Sequence, residues 1–227
     1  MDFLVVIFVI LAIIIITVGI FYSSVLERKR REALQRLANQ INLSFAYGDL
    51  FNIETTYEYH SLFREGTDDR YAYNILYGNY RNRPIKCFDY HYATYSHGKH
   101  GRTKHNHYYS GVLVELNITM QYLFVRSETF LDKIAGAVGF DDIDFESAEF
   151  SRNFYVKSED KKFAYDVIHQ RMMEFLLSRP RYHIELYNRT ILIYQGGTLK
   201  PENVEYMLNM ATDFVNLFPD YLLQKLS

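Results

Sequence analysis

The chain has 227 residues and a formal net charge of −2, with a single cysteine. One cysteine excludes an internal disulfide framework and suits a reducing compartment. The near-neutral charge argues against a nucleic-acid binder, which needs a concentrated basic face, and the length allows one sizeable domain or two small ones.

The first element is a membrane anchor. From Phe3 to Tyr22, FLVVIFVILAIIIITVGIFY, twenty residues carry no charge and sixteen are Leu, Ile, Val or Phe. As a helix rising about 1.5 Å per residue this run spans ~30 Å, the thickness of a bilayer's hydrocarbon core. Insertion should be favourable by on the order of 5 to 10 kcal/mol. The β-branched run Ile13–Ile16 is no obstacle in lipid, where backbone groups bond within the helix or go unpaired. A cleaved signal peptide fits poorly: the leader is only Met1-Asp2, the apolar run is too long, and no A-x-A-like site follows. Residues 1–23 are therefore read as a transmembrane anchor.

Arg28, Lys29, Arg30 and Arg31 come next, with Arg36 close behind, and nothing basic precedes the span. Positive residues beside a span stay on the cytoplasmic side, so the N-terminus is expected outside and the rest of the chain in the cytoplasm. The same four side chains are candidates for contact with anionic headgroups, at about 1 kcal/mol each. Sequons at Asn42, Asn117 and Asn188 matter only for a domain facing outward. Leu34, Leu37, Ala38 and Ile41 recur at helical spacing, so residues 24–45 read as a basic juxtamembrane segment and amphipathic neck. The stripe is too short for a coiled coil and is expected to pack on the domain. That domain, 46–227, is acidic on balance, which again argues against nucleic acid.

From Tyr71 to Arg126 the texture becomes aromatic and β-branched. The strands YAYNILYG, IKCFDYHYATY, YYSGVLVEL and QYLFVR follow one another, with Gly78-Asn79 and Asn-Arg-Pro as turn chemistry. SETFLDKIAGAVGF reads as a short helix capped by Ser127 and stopped by Gly139. After the strand NFYVKS, Ser158 is expected to cap a helix whose apolar face runs from Phe163 to Leu176, ending at Arg179-Pro180. YHIELYNRTILIYQ reads as a hairpin turning at Asn188, and a last helix carries Val204 to Phe218 before Pro219. No repeat or long linker divides the chain. The predicted architecture is α+β: an N-terminal transmembrane helix, then one cytoplasmic domain of antiparallel sheet packed with helices.

Three groups could carry chemistry. SHGKHGRTKHNHYY holds His97, His100, His105 and His107, and His105-x-His107 would share one strand face. A structural zinc site needs four ligands, the cysteine lies outside the stretch, and Lys99, Arg102 and Lys104 repel a cation. The expectation is a solvated, pH-sensitive hairpin loop without metal or other cofactor. Cys87, Asp89 and His91 alternate on one strand face, but neighbours two apart lie ~7 Å from one another, too far for a nucleophile and its base. Phe88, Tyr90 and Tyr92 on the other face look like core. Asp142, Asp144 and Glu146 resemble the start of a calcium loop, yet Ser147 and Asn153 stand where a glycine and a glutamate are required.

The stretches LYGNYRNRPIKCFDYHYATYS and GFDDIDFESAEFSRNFYVKSEDKKFAYDVIHQRMMEFLL, with the N-terminal span, resemble a family of uncharacterised prokaryotic membrane-anchored proteins, a domain-of-unknown-function group. The resemblance implies a bacterial or archaeal source and one cytoplasmic domain, and it supplies no activity or site residue. The sequence points to a membrane-tethered binding or scaffolding module whose partners are the bilayer and other membrane or cytoplasmic proteins. Two readings stay open beside it: a membrane-bound, metal-dependent hydrolytic enzyme using His91 or the histidine stretch, and a lipid-headgroup module using the loop cations.

Overall fold

A computed structural model describes residues 3–98, 101–127 and 143–226. Lys99, His100 and Asp142 fall outside the described residues, as does the helix expected over 127–139 beyond Ser127.

Helix α1 is one unbroken run, Phe3–Gln40, so the apolar stretch and the neck form a single rod. From Ile7 to Tyr22 its side chains are exposed, and the helix is long and apolar enough to cross a membrane. Its C-terminal turns differ: Leu34 and Ala38 are buried in the main core, with Leu37 and Ile41 packed alongside. Asn42, in the left-handed region at φ 57°, reverses the chain, and the Leu43 amide donates to the Ala38 carbonyl at 2.8 Å. Strand β1 (Ser44–Gly48) then runs back along α1.

β2 (Asp68–Tyr80), β3 (Arg83–Gly98), β4 (Gly101–Ser127), β5 (Phe154–Ser158) and β6 (His183–Gly196) complete a six-stranded antiparallel sheet. β4 is its spine. β3 lies on one edge, β6 on the other, and β5 pairs with Leu123–Ser127 after β3 has ended. Period-two alternation sorts the faces. Cys87 joins the larger core, under α1 and the helices α3 (Ala148–Asn153), α4 (Lys161–Val167), α5 (Gln170–Leu177), α6 (Pro201–Asn216) and α7 (Asp220–Leu226). Phe88, Tyr90 and Tyr92 join a smaller core beneath α2 (Ile53–Thr56) and a 3-10 turn at Ser61–Arg64. On α6, Val204, Met207, Leu208, Ala211, Phe214 and Val215 are all buried. Each large side chain among them contributes ~1.5–3 kcal/mol, which holds the helix to the sheet.

Four local expectations are corrected. The β2–β3 turn is made by Arg81-Asn82, both at positive φ, rather than at Gly78-Asn79. The strands YYSGVLVEL and QYLFVR are one strand, β4, whose register slips between Glu115 and Leu123. Opposite that slip Asn188, at φ 54°, bends β6 without reversing it, so the expected hairpin is a single strand paired to β4 on both sides of the bend. The long helix after β5 is two helices. Asp160, not Ser158, caps α4, and His169 caps α5 with its Nδ1 while its Nε2 donates to the Leu217 carbonyl at 2.9 Å.

Candidate functional site

The site begins where α1 leaves the sheet. Alternation puts Asp89 on the α1 face of β3, where its carboxylate is almost fully buried. Arg30 donates to it twice, at 2.6 and 3.0 Å, in the fork geometry that suits a carboxylate. Asn74 Nδ2 and Ser110 Oγ donate to the same group at 2.9 and 2.6 Å. Arg30 also donates to the Leu199 carbonyl, and the Leu199 amide donates to Ser110 Oγ. One buried charge thus ties α1, β2, β3, β4 and the segment before α6 together. The basic cluster divides accordingly. Arg28 and Lys29 stay exposed, Arg28 pairing with Glu32, while Arg30 turns inward and Arg31 lays its guanidinium 3.5 Å from the centre of the Tyr47 ring.

Beside this junction lies an open cleft of about 400 Å³. Glu27 and Arg31 of α1, Tyr47, Tyr73, Asn74 and Tyr108 are among its walls, and the turn at Gly197, φ 78°, closes one side. Tyr73 is held protonated, since burial and then nearby Asp89 raise its hydroxyl well above the usual range, against some opposition from Arg30. Rings continue outward from the cleft: Tyr73 to Tyr71 at 5.6 Å, Tyr71 to His91 at 5.0 Å, His91 to Tyr108 at 4.8 Å.

The histidine stretch is not a loose loop. β3 and β4 pair continuously out to Gly98 and Gly101, so His97, His105 and His107 stand on a two-stranded ribbon. His107 stacks on Tyr92 at 4.7 Å and bonds Thr94 Oγ1 at 2.9 Å, and His105 bonds Ser96 Oγ at 2.8 Å. Arg102 lies over the Tyr95 ring and Lys104 pairs with Asp69. The aromatic and hydroxyl partners explain why a glycine-containing segment forms strands here. Among the described residues no three His, Cys, Asp or Glu side chains gather as a metal site would require. His91 is nearly buried with both ring nitrogens engaged, Nδ1 on the Asp69 carbonyl and Nε2 on the Asn106 side chain.

Cys87 is sealed in the larger core, and burial, aided by Asp89 and opposed by Arg30, pushes its thiol up to about 12. Alkylation needs the thiolate. Iodoacetamide at neutral pH should therefore modify Cys87 in the folded chain at least ~1000-fold more slowly than in urea, because three pH units separate its thiol from an ordinary one. Comparable rates in the two states would contradict this placement.

Sequence reasoning also missed a second buried polar cluster. Glu185 on β6 has no solvent exposure; it accepts from the Ser61 amide at 3.0 and 2.9 Å and from Ser61 Oγ at 2.6 Å, with His60 Nδ1 at 3.5 Å. The His60 ring bonds Thr190 Oγ1 at 2.8 Å. Ser, His and Glu stand together here, but His60 and Glu185 are wholly enclosed, as befits a structural clasp.

No family model and no curated protein sequence matches the chain. Its fold is similar to the crystal structure of the mycobacterial trehalose monomycolate transport factor A, TtfA, with a TM-score of 0.55 at 11% identity. The match covers 85% of this chain and 97% of that one.

Proposed function

We propose that the chain is a single-pass membrane protein with its N-terminus outside and its sheet domain in the cytoplasm. It acts as a binding module at the lipid surface, and its β3–β4 ribbon rests among the headgroups. The observation that carries this reading is the common pace of α1 and β3. Ile85 pairs with Gly78, where an added Cβ would lie 3.2 Å from Leu43, whose amide bonds the Ala38 carbonyl, and Asp89 meets Arg30. Eight helical residues rise ~12 Å and four strand residues ~13 Å, so the strand runs alongside the helix toward its apolar end. Tyr71, the partner of His91, is already within electrostatic range of Glu27. From there Tyr22 is ~7 Å away along the helix, whereas the ribbon to Gly98 is ~23 Å long. The ribbon overshoots that gap, and its polar tip is excluded from hydrocarbon, so it lies along the headgroup layer. Exposed Arg102 gains about 1 kcal/mol on an anionic leaflet, while Lys104 is already paired with Asp69.

The similar fold, that of a trehalose monomycolate transport factor, supports a binding role over an enzymatic one. The engagement of both His91 ring nitrogens speaks against the His91 form of the hydrolytic alternative.

A spin label tests the ribbon. With Cys87 buried, Thr103→Cys gives one reactive thiol at the exposed tip. In nanodiscs of phosphatidylcholine and phosphatidylglycerol, a nickel-chelating lipid should relax that label far more strongly than one at exposed Tyr165→Cys. Salt should weaken the effect. Equal relaxation at the two sites would remove the ribbon from the membrane.

A further inference from the structure

Two residues that line the cleft between α1 and the sheet each bury a polar atom that the fold leaves without a partner among the described residues. Asn74 is 7% exposed, and its Oδ1 has no hydrogen bond among the described residues; the same holds for the buried Nε of Arg31. Both residues line the cleft. The orientation of the Asn74 amide is fixed, because its Nδ2 donates to the Asp89 carboxylate and the reverse placement would set oxygen against oxygen. A buried unpaired polar group costs about 1–3 kcal/mol, so each atom favours a ligand that completes it.

The chemistry of that ligand follows from charge and hydrogen-bond sense. Asn74 Oδ1 demands a donor and Arg31 Nε demands an acceptor. Arg30 is neutralised by Asp89, and Glu27 offsets Arg31, so the walls carry no net formal charge. A phosphate would meet Glu27 and a carbonyl lone pair, with no proton to give at Asn74. An ammonium group would meet Arg31. A hydroxyl both donates and accepts, and several on one small ring would serve both orphan atoms together with the tyrosine hydroxyls. Tyr47 and Tyr108, each about half exposed, have one face against Arg31 and His91 respectively and leave the remaining ring surface for the rest of such a molecule. The volume, about 400 Å³, lies within the range of small-molecule sites.

We propose that this cleft binds a neutral polyhydroxylated group, a sugar, either free or as the headgroup of a glycolipid in the adjoining leaflet. The site uses residues of α1, β1, β2 and β4 and does not depend on the ribbon touching lipid.

The test uses the full chain in phosphatidylcholine nanodiscs, read by the side-chain amide resonance of Asn74, which is identified by its loss in Asn74→Gly. One arm adds soluble maltose and another places diglucosyl diacylglycerol in the disc. Control arms use inorganic phosphate and phosphatidylglycerol. The resonance should shift saturably in a sugar arm, and whichever arm responds identifies the source. Maltose or glycolipid binding, followed by calorimetry, should weaken at least tenfold in Asn74→Gly, which keeps the left-handed backbone at φ 51°. It should weaken similarly in Tyr108→Ala, which alters a half-exposed ring and spares the buried network, while Tyr165→Ala binds as the parent does. Silence in both sugar arms overturns the proposal, as does an equal response to phosphate or phosphatidylglycerol, or unchanged affinity in Asn74→Gly and Tyr108→Ala. The spin-label result at Thr103 can fail or succeed independently of all these.

Discussion

Replacing Asp89 with alanine should cost about 3–5 kcal/mol of folding stability, the usual penalty for leaving one member of a buried pair behind. Arg30 would keep its place, its side chain only 21% exposed, with the Leu199 carbonyl as its one remaining acceptor among the described residues. Asn74 and Ser110 would each lose the acceptor for a donated hydrogen bond. Arg30→Ala should be comparably harmful, since it strands a carboxylate that is 4% exposed. Arg28→Ala, one turn-face away and 82% exposed, should change stability by less than ~0.5 kcal/mol. Arg30→Met combined with Asp89→Leu should recover part of the loss, because it strands no charge, although Asn74, Ser110 and the Leu199 carbonyl still lose their partners. Urea unfolding of the full chain in nanodiscs gives all four values. If Asp89→Ala and Arg28→Ala prove equally mild, α1 is not fastened to the sheet by this pair.

The contrast between Arg28 and Arg30 shows where a sequence stops being legible. Four consecutive cations after an apolar run carry an orientation signal that local reading captures. That one of them crosses to an aspartate 59 positions away is a tertiary fact, invisible to spacing. Periodicity did reveal much of the rest. Leu34 and Ala38 recur at helical spacing and are buried, and Phe88, Tyr90 and Tyr92 face one core while Cys87 faces the other. The misread points share one cause. Asn188 offers a left-handed residue, which serves a hairpin turn or a bulge equally well, and only the slip in the partner strand β4 decides between them. His169 looks like an ordinary helical position until the Leu217 carbonyl holds its ring as a cap. The histidine stretch contains glycine and charge, the signals of a loop, yet cross-strand contacts from Tyr92, Thr94, Tyr95 and Ser96 make it a ribbon. Asn74 gave no local signal and Arg31 showed only as one cation of the basic cluster, since the cleft exists only where three strands and a helix meet.

The clasp at Glu185 should be as sensitive as the one at Asp89, for a different reason. Among the described residues its carboxylate is the sole acceptor for the Ser61 amide, and it also takes the Ser61 hydroxyl. Through them β6 fixes the turn Ser61–Arg64, which delivers Phe63 onto Phe88 and Tyr90 at 5.8 and 5.2 Å. Glu185→Ala removes three hydrogen bonds at a fully enclosed position, and the expected loss is about 3–5 kcal/mol. Glu185→Gln keeps an oxygen for the Ser61 amide and can accommodate the hydroxyl, so its loss should be nearer 1–2 kcal/mol. The mechanism makes a local demand as well. If the turn is held by this carboxylate, the Ser61 and Phe63 amides should lose hydrogen-exchange protection in Glu185→Ala before the β3–β4 amides do. Uniform loss across the sheet would mean that the smaller core, with Phe63 wedged against its rings, seats the turn without help from the charge.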